Sequence, residues 1–118
     1  MSTRDMGAGE IPRIRVGPAG WSYDDWKGIV YPPDKPRSLH PLEFLSRYFD
    51  TVEVNSTFYR VPSPDLSERW LARTPSSFEF SVKLYQKFTH PDMYLKRPGV
   101  SDWTVTAGDL DEFRIGID

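Results

Sequence analysis

Apolar and polar residues alternate strictly through Thr51-Val52-Glu53-Val54-Asn55 and again through Phe78-Glu79-Phe80-Ser81-Val82-Lys83. Successive side chains of a strand point to opposite faces, so this period of two predicts strands over 51–55 and 78–83. A shorter alternation, Ile14-Arg15-Val16-Gly17, predicts a first strand over 14–17. Between these runs the period lengthens. Leu42, Leu45 and Phe49 form one stripe, broadened by Phe44 and Tyr48, and predict a helix over 38–49 with Pro41 near its start. Ser63 is a good N-cap with Pro64 at the first helical position; Leu66, Trp70 and Leu71 face inward on this helix, which stops before Pro75. Thr106 and Asp109 have capping-box spacing, with Asp where Glu or Gln is usual. They precede the helical stripe Leu110, Phe113 and Ile117. Residues 24–37, crowded with Gly28, Pro32, Pro33 and Pro36, read as an ordered loop held by Trp26 and Tyr31. Residues 84–107 read as a long loop. Residues 1–12 are polar and aperiodic and read as a disordered tail, leaving 13–118 as one domain. Strand and helix alternate three times, the signature of an α/β fold with a parallel sheet and right-handed crossovers.

The strands carry an unusual second face. Val52, Val54, Phe78, Phe80 and Val82, with Ile14 and Val16, are the apolar set that meets the helices. The opposite set is Arg15, Gly17, Thr51, Glu53, Asn55, Glu79, Ser81 and Lys83. A parallel sheet covered on both faces reads as near-continuous apolar runs, and this one does not. Opposite charges on adjacent strands are close enough to pair. Two readings stay open: a polar barrel interior opening into a site, or a sheet with one wet face carrying a structural ion-pair network.

The bulk numbers narrow the field. With 15 basic and 17 acidic residues the net charge is -2, so no overall attraction to nucleic acid or anionic membrane is expected. The chain has no cysteine, which removes disulfides and thiolate metal sites and fits a cytoplasmic location. No apolar run approaches the roughly 20 residues of a membrane span. Aromatic residues are 14% of the 118, enough to build large-ring packing at loops and core alike.

In parallel α/β folds ligands bind beyond the carboxyl ends of the strands. Those ends carry Trp21 and Ser22, then Asn55, Ser56, Thr57 and Tyr59, then Lys83 and His90. Glu53 is the acid/base candidate, because burial and a neighbouring cation tune a carboxyl in opposite directions. Its structural alternative is a plain salt bridge. Lys83 offers an anion contact or a base, or else is the counter-ion of Glu53. His90 offers a proton carrier, against an ordinary loop histidine. Trp21, Tyr23, Phe58 and Tyr59 offer stacking surfaces for a sugar or base, against loop packing. His40, ahead of a helix proline, reads as a cap or surface residue. No dinucleotide, phosphate-loop or metalloprotease pattern occurs, so no cofactor is predicted, and two distant histidines do not support a metal site.

Several of these stretches together resemble one family. Ile14-Arg15-Val16-Gly17-Pro18-Ala19-Gly20-Trp21-Ser22-Tyr23 is followed by Trp26-Lys27-Gly28 and Tyr31-Pro32. Then come Phe49-Asp50-Thr51-Val52-Glu53-Val54-Asn55-Ser56-Thr57-Phe58-Tyr59-Arg60 and Phe80-Ser81-Val82-Lys83 with Thr89-His90. In this order they resemble the DUF72 (YecE-like) family, over about residues 14–90 and more loosely beyond. The resemblance implies a TIM-type (β/α) barrel of no established activity. It carries over Gly20, Trp21 and Ser22; Glu53, Asn55, Ser56, Thr57, Phe58 and Tyr59; and Lys83 and His90. An eight-unit barrel takes about 250 residues. Three βα units are therefore expected to be the N-terminal, truncated portion of such a barrel, with an open sheet edge available for self-association.

The function expected from these residues is that of a barrel-mouth hydrolase or isomerase acting on a sugar- or phosphate-containing substrate once the barrel is complete. Glu53, Lys83 and His90 are the expected catalytic residues. Trp21, Ser22, Asn55, Ser56, Thr57 and Tyr59 are the expected substrate-binding residues. The chain by itself is expected to be inactive. The alternative is a module that binds single-stranded nucleic acid or a sugar phosphate without catalysis. Whether the chain is an enzyme is left open by its residues.

Overall fold

The computed structural model describes residues 13–118, so the expected tail over 1–12 lies outside the described residues. A two-stranded parallel sheet forms the centre. Strand β1 (Thr51–Val54) pairs with β2 (Glu79–Val82) in the register Thr51 to Glu79, Val52 to Phe80, Glu53 to Ser81 and Val54 to Val82. Around it lie six α-helices among the described residues: α1 (Pro41–Leu45), α2 (Ser56–Tyr59), α3 (Pro64–Ala72), α4 (Gln86–Thr89), α5 (Pro91–Leu95) and α6 (Ala107–Ile117). The fold is α/β, as the alternation predicts.

The apolar face of the sheet makes the core. Leu42 of α1, Val52, Val54, Trp70 of α3 and Phe78 form one buried cluster, with Trp21, Leu66, Phe80 and Val82 packed on it. Each fully buried aliphatic side chain contributes about 1.5–3 kcal/mol relative to exposure, which fixes the strand register. Among the described residues no helix covers the opposite face, and its side chains pair across the strands. Arg15 reaches under the start of β1 to Glu79 (3.0 Å), and Lys83 lies 3.5 Å from Glu53.

The predicted first strand does not form. The segment runs parallel to β1, and Asp50 N–H donates to the Val16 carbonyl (3.4 Å), but the bonds that follow do not build a regular ladder. Glu53 N–H donates to the Pro18 carbonyl (3.0 Å), and Gly20 N–H donates to that of Glu53 (2.8 Å). Pro18 has no N–H to give, so no regular ladder can run through it. Gly17 sits so close to β1 that a Cβ there would come within 1.7 Å of the Thr51 carbonyl oxygen. With the pairing displaced, Ile14 and Val16 are 84% and 63% exposed and do not meet the helices.

Other boundaries shift for local reasons. Helix α1 starts at Pro41, because the His40 ring nitrogen Nδ1 accepts from the Leu42 N–H (3.1 Å) and caps it. It closes into turns after Leu45. Ser63 caps α3 through its hydroxyl, with Pro64 first in the helix, as expected. Leu71, however, is 57% exposed: it follows Trp70 by one position and is turned about 100° away from the core. The 84–107 stretch is not one loop but holds α4 and α5, pinned by contacts of Tyr85 with Phe88 and Tyr94 (5.9 and 6.0 Å). The capping box is present in both directions, Asp109 N–H to Thr106 Oγ1 and Thr106 N–H to Asp109 Oδ2. Of the stripe on α6, Phe113 is buried against Phe88, while Leu110 and Ile117 remain largely exposed.

Candidate functional site

The carboxyl ends of the strands are followed by short, tightly held connections. After the Pro18–Gly20 segment the chain turns at Gly20, whose φ of +80° is open to glycine at little cost. That turn brings Trp21 over the core, edge-on to Trp70 with ring centroids 5.7 Å apart. The Trp21 carbonyl accepts from the Tyr31 hydroxyl at 2.7 Å. Burial pushes the Tyr31 phenol up to about 12, so it remains a donor at any ordinary pH. Tyr31 in turn packs among Trp26 and Phe44, which makes it and Trp26 the loop anchors the sequence predicts.

After β1 the chain enters α2. Thr57 is 1% exposed, and its hydroxyl donates to the Lys83 carbonyl (2.7 Å), tying the ends of the two strands together. That hydroxyl is occupied in structure and faces no cleft. Asn55 is different. Its amide nitrogen donates to the Tyr23 hydroxyl (3.3 Å), and that hydroxyl's single proton goes to the Ala19 carbonyl (2.6 Å). The tyrosine can therefore only accept from Asn55, which fixes the amide orientation. It leaves Asn55 Oδ1 buried with no donor among the described residues. Buried acceptors without partners are rare, and each asks for an explanation.

Trp21, Ser22, Asn55 and Ser56, four of the expected binding residues, line one cleft of about 400 Å³, floored by Trp70 and Leu66. Trp70 and Leu66 are legible in the sequence only as core positions. The remaining candidates lie elsewhere. Glu53 and Lys83 pair with each other on the open polar face, with side chains 42% and 49% exposed, and do not line the cleft. His90 packs edge-on against Phe58 (5.1 Å), with Nδ1 2.7 Å from the Thr89 hydroxyl. Tyr59 is 60% exposed and walls two further hollows. Among the described residues no group of three or more His, Asp or Glu side chains is gathered to hold a metal ion. No described helix is long and apolar enough to cross a membrane.

A parallel sheet, apolar on one side and polar on the other, with a ring-lined cleft beyond the strand ends, defines an α/β domain in outline. The chain belongs to the family described as "Protein of unknown function DUF72", whose model matches residues 15–113. It is 37% identical over 76 residues to the UPF0759 protein YunF of Bacillus subtilis (strain 168), covering 64% of this chain and 26% of that protein. To the UPF0759 protein YecE of Escherichia coli (strain K12) it is 30% identical over 77 residues, covering 65% of this chain and 25% of that protein. The chain thus spans about a quarter of the length of the curated relatives it matches. No solved structure matches it. The family has no established activity.

Proposed function

We propose that the chain forms one wall of a binding site for a ring-shaped, hydroxyl-bearing ligand of the sugar type. The observation that carries this reading is the cleft itself, where the edge-on pair of Trp21 and Trp70 lies beside the polar residues Ser22, Asn55 and Ser56. A sugar brings hydroxyls for the polar groups of Ser22 and Ser56 and an apolar C–H face that packs on an indole, with Asn55 in the same wall. Residues 13–118 are read as one partial domain, the opening units of a TIM-type barrel. Chemistry belongs to the completed barrel, as hydrolysis or isomerisation of a sugar- or phosphate-containing substrate. There Glu53 acts as acid/base, Lys83 steadies developing negative charge, His90 is an auxiliary proton carrier, and Trp21 and Tyr59 are substrate walls. The 118-residue chain binds without turnover.

Tryptophan fluorescence, titrated with a panel of neutral monosaccharides, tests the binding claim. A saturable change is expected with at least one sugar and should vanish in Asn55→Ala with far-UV circular dichroism preserved. No response to any sugar, or an undiminished response in that variant, refutes it.

A further inference from the structure

We propose a second site on this molecule, an anion site that takes the phosphate group of a small phosphate ester. It occupies a hollow of about 490 Å³ lined by Tyr59, Gln86, Met93, Lys96, Arg97 and Pro98, and it stands whether or not the sugar reading does. Its centre is Arg97. The guanidinium donates from Nη1 to the Tyr85 hydroxyl at 2.5 Å and lies over the rings of Tyr85 and Tyr94, 5.8 and 5.9 Å from their centroids. A planar fork bonded to one tyrosine hydroxyl and lying near two rings has lost much of its rotamer freedom before any ligand arrives, so less is lost on binding.

Among the described residues no carboxylate lies within ion-pair distance of Arg97 or of Lys96. The contrast with Lys87 in the preceding helix is direct: that ammonium is neutralised by Asp109 at 2.7 Å. Two adjacent cations with no ion-pair partner among the described residues thus follow α5, in a chain whose net charge is -2. Gln86, only 5% exposed, brings an amide to the same hollow, and Tyr59 brings a phenol. A guanidinium, an ammonium, an amide and a hydroxyl suit the several terminal oxygens of a phosphate better than the two of a carboxylate. The hollow is far larger than a bare phosphate, and Met93 and Pro98 supply an apolar wall for the organic part. Tyr59 also walls an adjoining hollow of about 250 Å³, which shares Ser56 and Leu66 with the Trp21–Trp70 cleft. The organic part therefore has somewhere to extend.

The test is a ¹H–¹⁵N NMR titration of the 118-residue chain with glucose 6-phosphate, inorganic phosphate and glucose, following Arg97 Nε–H. Glucose 6-phosphate is expected to shift it saturably, inorganic phosphate more weakly, and glucose not at all. Losing one charged hydrogen bond in Lys96→Gln should weaken glucose 6-phosphate binding about tenfold. Arg97→Gln, followed at the Gln86 side-chain amide instead, should abolish the phosphate-dependent shift. Lys96 is exposed, so its variant remains a fair test even if Arg97→Gln disturbs the tyrosine stack. Absence of any saturable phosphate-dependent shift, or full affinity in Lys96→Gln, overturns the site. Equal affinity for inorganic phosphate, or tighter capture of a single-stranded oligonucleotide, overturns the assignment to a small ester.

Discussion

Lys83 Nζ lies 3.5 Å from Glu53 Oε1, although the residue directly opposite Glu53 across the ladder is Ser81. The pair is diagonal: Lys83 is two residues beyond Ser81, on the same face, and its N–H extends the ladder to the Val54 carbonyl. With both side chains near half exposure, water competes for each charge. A double-mutant cycle of Glu53→Gln and Lys83→Met, read by urea denaturation, should give a coupling below about 1 kcal/mol. A coupling well above that would mean the polar face is closed to solvent in this chain.

Arg15 is the opposite case, with a side chain only 16% exposed. It donates to the carbonyls of Ser77 (2.8 Å) and Asp50 (3.2 Å) and pairs with Glu79, so one side chain joins three segments. Arg15→Ala strips those carbonyls of a charged donor and should lower stability by about 1.5–3 kcal/mol. Denaturant midpoints of Arg15→Ala and Glu53→Gln, compared side by side, check this; a smaller loss in Arg15→Ala contradicts it.

The Lys87–Asp109 pair fastens α4 to the start of α6. The hydrogen bond to Lys87, with that from the Thr106 backbone, holds Asp109 below the ordinary carboxylate range, and the same contact raises Lys87 above the usual lysine range. The signs define the window. Asp109 contributes stability above its unfolded value of about 4, lost as pH falls through its lower folded value; Lys87 contributes below about 10.5, lost as pH rises through its higher one. Asp109→Asn should flatten the acid limb of a stability–pH curve. An unchanged acid limb contradicts the assignment.

His40 titrates in the other sense from the usual partnered histidine. Burial first, and then the charge of Arg73, lowers its pKa, and its neutral Nδ1 is needed to accept from Leu42. The unfolded chain binds that proton more readily, so stability falls as pH drops from about 6.5 through the lower folded value. His40→Asn keeps a capping acceptor without a titrating group. Thermal melts between pH 7 and 5 should show a shallower slope in the variant, and an equal slope would refute the role.

What the sequence made legible is chemistry that acts over three or four residues. The Ser63–Pro64 start and the Thr106–Asp109 box are satisfied within one turn, so spacing alone reveals them. The strands β1 and β2 followed from alternation, because a one-residue slip would drive Val52 and Val54 out of the core. Several of the failures turn on contacts that no periodicity encodes. Helix α2 is a single turn held by Thr57 reaching the Lys83 carbonyl, and α4 and α5 are short helices fixed by tyrosine and phenylalanine contacts. At the cleft, Trp21, Ser22, Asn55 and Ser56 come together, as the order of segments along the chain suggested they would. The unmet oxygen of Asn55 was not legible, because it follows from Tyr23 committing its proton to Ala19.

The account rests on the cleft between Trp21, Trp70 and Asn55. Its most direct measurement is a chemical-shift map of the ¹⁵N-labelled chain during titration with a sugar that quenches its fluorescence. The indole N–H signals of Trp21 and Trp70 and the side-chain amide of Asn55 should move together along one binding curve, with those of Trp26 and Trp103 still. Movement confined to the latter two, or an Asn55 amide that never responds, would contradict it.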